Sequence, residues 1–409
     1  MVAGFPRWRR GAVGAIGVLL IGASGVMSGQ AIDDPVERSR MHLGPLGLTP
    51  SIALTNLGVD TNVFNQFENP KSDFTFTVSP QLETRLRGGR WRLRADGRLD
   101  AVYYQQYATE RSLDGVFDSR VERRSGRVTP WFSAAAASGR QRFGYDIDLR
   151  FRRNVAEMAT GVDVRVAGRT RVGVSARRTR YRHDPDAEFF GSSLREALDR
   201  RTDALGLQFQ YALTPLTTWV VSAERSSDRF EFTPSRDSDS TRVDTGFDLS
   251  PSALIAGRGR VGYRRIVGTG GVFPGYSGAV ASVAANSTLW GRTHLDVAVD
   301  RDISYSWELL YPYYVRTGTT VTITPQLTAR WDVRGRFGMQ RLAYRAVAGV
   351  PGLMTDRIDR VGLFGAGVGY RLGRDMRVGV GVDRERRETP VLQHAYEGYR
   401  TGVSVTYGR

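Results

Sequence analysis

The sequence has no cysteine, one lysine (Lys71), four histidines and, beyond residue 31, no long apolar run. Without cysteine there is no disulfide framework, no lipoprotein attachment point, no thiolate catalysis and no cysteine-ligated metal. Without a second stretch of about 18 apolar residues, no helix beyond the leader spans a membrane. The histidines, His42, His183, His294 and His394, are scattered, so no histidine-rich metal constellation is visible. Long helical periodicity is missing as well.

What is present begins with a leader. MVAGFPRWRR carries Arg7, Arg9 and Arg10 with no acid, GAVGAIGVLLIGASGVM follows as an apolar core, and Gly29-Gln30-Ala31 offers small residues for cleavage. That layout predicts a cleaved secretory signal over 1–31. The residues flanking Arg9-Arg10 fit twin-arginine export poorly. A short periplasmic segment is expected over 32–45, and the remaining chain, 46–409, forms one unit. Export without an anchor leaves a soluble periplasmic or secreted protein, or a barrel in the outer membrane of a Gram-negative bacterium.

The body of the chain alternates with a period of two. In RWRLRADGRLDAVYYQQY, Trp91, Leu93, Ala95, Gly97, Leu99, Ala101 and Tyr103 share one parity, and Arg92, Arg94, Asp96, Arg98 and Asp100 share the other. Successive strand side chains point to opposite faces, so one face is apolar and one charged. Trp91 to Tyr103 is roughly 40 Å of strand, about 28 Å in height if tilted near 45°. That matches an apolar band of about 25 Å between aromatic girdles, and it exceeds the usual strand of a soluble protein. The pattern recurs around Leu205–Leu213, Ile255–Tyr263, Leu295–Val299, Trp331–Met339 and Val378–Val382.

Connections alternate too. Short ones include Gly88-Gly89-Arg90, Thr214-Pro215-Leu216 and Leu372-Gly373-Arg374-Asp375. Longer polar stretches lie at 108–117, 183–202, 226–241, 266–278, 301–314, 344–358 and 384–396. The expected fold is all-β: a single antiparallel up-and-down transmembrane barrel of about eighteen strands, sixteen being the alternative, with short periplasmic turns and long extracellular loops. The rival is a large soluble β-sandwich or solenoid. Girdle candidates are Trp91, Tyr103, Tyr263, Trp331 and Tyr407. The last strand alternates through Val403, Val405 and Tyr407 but ends on Gly408 and Arg409 rather than an aromatic.

LTPSIALTNLGVDTNVFNQF followed by SDFTFTVSPQLETRLRGG, with FTPSRDSDSTR before the Pro251 to Tyr263 strand, resembles a family of outer-membrane β-barrel porins over most of the mature chain. Its members are often associated with bacterial exopolysaccharide gene clusters. The resemblance implies the barrel architecture, and through that association a structural or secretion-associated role with an acidic exopolysaccharide and periplasmic partners.

The residues themselves point to a water-filled pore, because a barrel this wide is not filled by side chains. Arg92, Arg94, Arg98, Arg165, Arg177, Arg258, Arg260, Arg264, Arg334, Arg336 and Arg377 all fall on the polar parity. Such a row concentrates anions and offers planar forks to carboxylate or phosphate. The bland alternative is that they pair with Asp96, Asp100, Asp163, Asp296 and Asp300 into ladders that stiffen the wall. Expected partners are outer-membrane lipid and lipopolysaccharide, the barrel-assembly machinery, and anionic solutes or acidic polysaccharide. Nucleic acid is excluded, since the basic charge of +16 is spread over alternate strand positions behind an export signal.

No cofactor and no enzyme are expected. His183 with Asp184 and Asp186 is the nearest catalytic set, and a polar loop explains it. Arg236-Asp237-Ser238-Asp239-Ser240 has two carboxylates but too few ligands for calcium. In LTNLGVDTNVFNQF the alternation is lost, and Asp60, Asn62, Phe64 and Asn65 read as the first extracellular exit, where Asp and Asn bond locally to backbone. Whether Phe64 turns to membrane or pore is left open by the sequence.

Overall fold

In the computed structural model, the alternating segments become eighteen long antiparallel strands closed into one ring. The structure describes residues 39–271, 273–350, 353–354 and 357–408; the leader and the segment 32–38 lie outside these. The strands are β1 (Leu46–Asp60), β2 (Asp73–Gly88), β3 (Trp91–Tyr104), β4 (Ser112–Arg123), β5 (Val128–Gln141), β6 (Phe151–Ala167), β7 (Thr170–His183), β8 (Arg200–Thr214) and β9 (Thr217–Phe230). The second half comprises β10 (Ser238–Leu249), β11 (Ile255–Gly268), β12 (Tyr276–Leu289), β13 (Thr293–Tyr305), β14 (Tyr313–Pro325), β15 (Trp331–Arg345), β16 (Ile358–Leu372), β17 (Met376–Glu388) and β18 (Tyr396–Tyr407). Each strand pairs with the next, and β18 returns to β1 through Ile52↔Tyr407 and Asp60↔Arg400. Closure leaves no unpaired edge, which a lipid-embedded sheet requires.

Alternation decides the faces. Trp91, Leu99, Leu205, Leu207, Val261 and Met339 are 49–66% exposed on the outer face. Large apolar groups are stable there when hydrocarbon covers them. Between them stand the charged residues, turned inward.

At one end the connections are short: 89–90, 124–127, 168–169, 215–216, 250–254, 290–292, 326–330 and 373–375. Gly89 and Gly373 adopt φ of 56° and 67°, the left-handed geometry that tight hairpins need and glycine adopts freely. Arg40 reaches the last of these turns, bonding Asp375 at 2.6 Å. At the other end the connections are 61–72, 105–111, 142–150, 184–199, 231–237, 269–275, 306–312, 346–357 and 389–395. They are shorter than the polar stretches of the sequence suggest, because strands continue above the apolar band. There both faces are charged, as at Asp228 and Arg229 of β9, and the alternation fades without the strand ending.

The lost alternation in LTNLGVDTNVFNQF has a structural cause. Asn56 adopts φ of 54°, and the register of β1 shifts between Thr55 and Gly58 against β2 and between Leu54 and Leu57 against β18. This β-bulge lies on the closing seam. Gly58 is required beside it, since a Cβ there would lie 2.0 Å from the Thr401 carbonyl oxygen.

Candidate functional site: a barrel lumen crossed by one loop

The segment 142–150 leaves β5 at Gln141, enters β6 at Phe151 and folds into the barrel instead of away from it. Its sequence, RFGYDIDLR, is itself alternating. Ile147, with Phe143 and Leu149 against it, packs on Phe151, Trp307 and a short helix, α1 (Leu194–Leu198). The two acids point into a charged cluster on the far wall. Asp148 pairs with Arg387 of β17 at 2.7 Å, and Arg387 pairs with Asp359 of β16 at 2.6 Å. Asp146 accepts hydrogen bonds from the Tyr344 hydroxyl of β15 and, at 3.2 Å, from the Trp307 backbone N–H. Strand β15 is half-way round the ring of eighteen from β6, so these contacts cross the lumen.

Neighbouring loops complete the closure. Arg357 joins Asp359 at 3.3 Å and Glu308 more closely. His394 accepts a hydrogen bond from Arg357 at 3.2 Å and rests among Phe189, Phe190 and Trp307. Arg236 donates to the carbonyls of Ala197, Ser306 and Pro312 and so ties its own loop, 231–237, to 184–199 and 306–312. Burial dominates the titration of this cluster. It raises the Asp148 carboxyl to about 7 against the pull of Arg387, and lowers His394 to about 4, with Arg387 and Arg357 adding to the shift.

The first loop is part of the same structure. Asp60 is buried and pairs with Arg400 at 2.9 Å. Asn62 donates from its backbone N–H to Asp60 and from its amide to the carbonyls of Gln66 and Glu397. Asn65 takes the left-handed φ of 51°. Phe64 packs edge-on against Tyr107 of the neighbouring loop, centroids 4.9 Å apart. Val63 is fully buried, and its carbonyl accepts from Arg142 of the crossing segment.

Below the crossing, charged side chains form ladders. Arg94 stands 3.2 Å from Asp118, Arg98 2.9 Å from Asp100, Arg177 2.8 Å from Glu224 and Arg260 2.6 Å from Asp248. Asp302 of β13 holds both Arg242 and Arg264, at 2.7 and 2.8 Å. Arg92 and Arg258 also have partners. Arg165, at the short-turn end of β6, is exposed and makes no ion pair among the described residues.

Strands β15 to β17 differ from this balance. Arg334, Arg336, Arg371 and Arg377 gather around Asp332 and Asp383, with Glu385 following Asp383 on the same face. Arg334 has no ion pair among the described residues, and its Nε has no hydrogen-bond partner. The inward positions of β16 opposite Asp332, Arg334 and Arg336 are Gly369, Gly367 and Gly365. Arg377 lies flat across this glycine floor to reach Asp332; a Cβ on Gly369 would stand 2.0 Å from its Nη2. On the flanking strands Thr322 lies beside Arg336 and Thr406 beside Arg377, and neither brings a negative charge.

Residues 34–409 match the family described as Putative beta-barrel porin 2. The chain belongs to this family. A member of a porin family in this closed fold is an outer-membrane pore and not an enzyme. No curated protein matches the chain. Among solved structures, a BenF-like porin from Pseudomonas fluorescens Pf-5 is similar over 88% of this chain and 98% of its own, at 9% identity and a TM-score of 0.45. OccK3 (OpdO) of Pseudomonas aeruginosa is similar over 88% and 95%, at 11% identity and a TM-score of 0.44. The FrpB iron transporter of Neisseria meningitidis is similar over 83% of this chain and 62% of its own, at 10% identity and a TM-score of 0.40. The porin chain thus spans less than two thirds of that transporter's length.

The remaining sequence candidates of the porin find structural places. Trp91 and Trp331 begin strands just after short turns, and Tyr407 ends β18 at the same end; all three are about half exposed. Tyr103 and Tyr263 stand at or toward the opposite ends of their strands. Tyr103 stacks on Phe76, with the Arg111 guanidinium 4.4 Å from its ring. His183 faces Asp199 at 2.7 Å and packs on Phe151, away from Asp184 and Asp186. Asp237 accepts from the Phe230 backbone and Asp239 pairs with Arg229 at 2.8 Å, so both carboxylates of 236–240 are engaged within the wall. The sequence reading missed Arg387, Arg357, Asp146 and Asp148. The only signal was the alternation inside RFGYDIDLR, which reads as strand or loop equally well.

Proposed function

We propose that this porin is a narrow, anion-preferring channel for small anionic or polar solutes, with segment 142–150 setting its constriction. The observation that carries the reading is the group Arg334, Arg336, Arg371 and Arg377 around two aspartates, on a glycine floor that keeps the side chains low along the wall. Where arginines pair one for one with acids they stiffen the sheet. Where they outnumber the acids they attract anions into the water beside them. Export of an acidic exopolysaccharide, the alternative raised by the family resemblance, needs room for a polymer. A segment locked across the lumen by Arg387 and Asp148 favours small solutes over that role.

The test is solute uptake by proteoliposomes. Small organic anions should enter faster than neutral sugars of the same size, and Arg334→Gln with Arg377→Gln should remove most of the difference. Equal entry of anions and neutral sugars into wild-type vesicles would refute the preference. Loss of surface polysaccharide on gene deletion, with small-anion uptake unchanged, would favour the export reading instead.

A further inference from the structure

The outer face of β2–β7 has a feature that conduction does not explain. A cavity of about 940 Å³ lies on it. Two cross-strand rows build its floor. In one, Gly97, Phe117, Ala136 and Ala156 follow each other in register and end on Arg180; in the other, Leu99, Gly115, Ser138 and Asn154 end on Arg182. Small residues stand together in both rows, so a furrow opens between Leu99 and Phe117. Nothing lies within 4 Å of where a Cβ on Gly97 would be.

The furrow ends at bare positive charge. Arg152, Arg180 and Arg182 are exposed on the outer face and make no ion pair among the described residues. Most of their neighbours are also arginines: Arg140, which pairs with Glu110 at 3.4 Å, is directly opposite Arg152, and Arg201 sits between Arg180 and Arg229, while Asp184 donates its backbone N–H to the Arg152 carbonyl. Like charges directly opposed across a ladder are unfavourable unless an anion lies between them. Of the acids nearby, Glu110 is committed to Arg140 and Arg150, Asp203 to Arg178 and Arg201, and Asp239 to Arg229, so among the described residues Asp184 alone is left beside the three arginines.

Height places this charge at a membrane surface. Arg180 stands ten residues from Thr170 at the short-turn end of β7, roughly 25 Å higher along a tilted strand. Arginine on a lipid-facing wall is tolerated near the interfaces and not at the midplane. The guanidinium groups therefore sit at the headgroups of the outer leaflet, with the furrow in the hydrocarbon just below.

We propose that this face binds one lipid A moiety of lipopolysaccharide, its phosphate held between Arg152, Arg180 and Arg182 and an acyl chain laid in the Gly97–Ala156 furrow. The guanidinium fork matches phosphate in a bidentate way. A zwitterionic phospholipid brings its own ammonium and leaves the arginine cluster uncompensated. Inorganic phosphate leaves the furrow empty. An anionic, phosphorylated and acylated lipid satisfies both halves, and the outer-leaflet height of the arginines favours lipid A over phosphatidylglycerol.

Native mass spectrometry of the purified barrel in detergent tests this, with bisphosphorylated lipid A, phosphatidylglycerol, phosphatidylethanolamine and inorganic phosphate each added alone. The expected result is one retained lipid A. Retention should weaken at least about tenfold in Arg180→Ala with Arg182→Ala, the scale of a lost bidentate phosphate contact. Gly97→Leu, which fills the furrow at a position with open space, should weaken it as well while the heat-resistant barrel band on gels is unchanged. Lipid A held equally by wild type and both variants would overturn the site. So would phosphatidylglycerol or free phosphate binding as tightly as lipid A.

Discussion

Arg387 and Asp148 meet at 2.7 Å although one belongs to β17 and the other to the segment between β5 and β6. The guanidinium is fully buried and also holds Asp359. A buried charge that loses its partner typically costs about 3–5 kcal/mol, because the other charge stays uncompensated. Arg387→Ala should therefore release segment 142–150 while the barrel remains closed. Limited trypsin digestion reads this directly: cleavage at Arg142 or Arg150 should appear in the variant and be absent from the wild type. A variant as resistant as wild type would show that the apolar side of the segment, Ile147 against Trp307 and α1, is sufficient to hold it.

The same contact is sensitive to pH. Burial raises Asp148 to about 7, with Arg387, Arg142, Glu385 and Asp146 the charges around it. An acid whose pKa is higher in the docked segment than in the open chain takes up a proton on docking. Docking is then favoured at low pH, and this contribution is lost as pH rises from about 4 through 7. The difference in trypsin susceptibility between wild type and Asp148→Asn should grow between pH 6 and 8. A difference that is flat with pH would mean that Asp148 stays ionised throughout.

Gly369 carries a sharper steric requirement. A Cβ there would lie 2.0 Å from Arg377 Nη2. Gly369→Val should push the flexible Arg377 guanidinium off Asp332, and the cost, about 1–3 kcal/mol, comes from a buried carboxylate losing its hydrogen bonds. Unfolding in urea, compared with the wild type, measures it. Equal stability of wild type and Gly369→Val would show that Arg377 has room to move.

Asn56 is held at φ of 54° in the seam bulge. Asn56→Gly should be neutral or nearly so, whereas a β-branched residue should cost about 1–2 kcal/mol, the left-handed penalty. A lower temperature of gel-shift unfolding for Asn56→Val, but not for Asn56→Gly, is the expected outcome. Identical temperatures would place the bulge elsewhere.

These sites also mark what a sequence conveys and what it does not. Alternation such as Trp91 to Tyr103 is read residue by residue, because each side chain reports its own face, and short turns announce themselves through glycine. Strand ends such as 226–230 are hidden, since above the membrane both faces meet water and both become charged. The bulge at Asn56 erases the alternation it interrupts. The crossing of 142–150 is hidden for a different reason. Its partners Tyr344 and Arg387 lie 198 and 239 residues away from Asp146 and Asp148, and no local pattern encodes a contact that only closure of the ring creates.

The direct test of the pore is its reversal potential in a planar bilayer under a salt gradient. The purified wild-type chain should conduct in small steps, with a zero-current potential of the sign that anion preference gives. Arg387→Ala should raise the step size without changing that sign. A wild-type barrel that reverses at a cation-selective potential, or stays silent even as Arg387→Ala, would contradict an anion-preferring pore narrowed by segment 142–150.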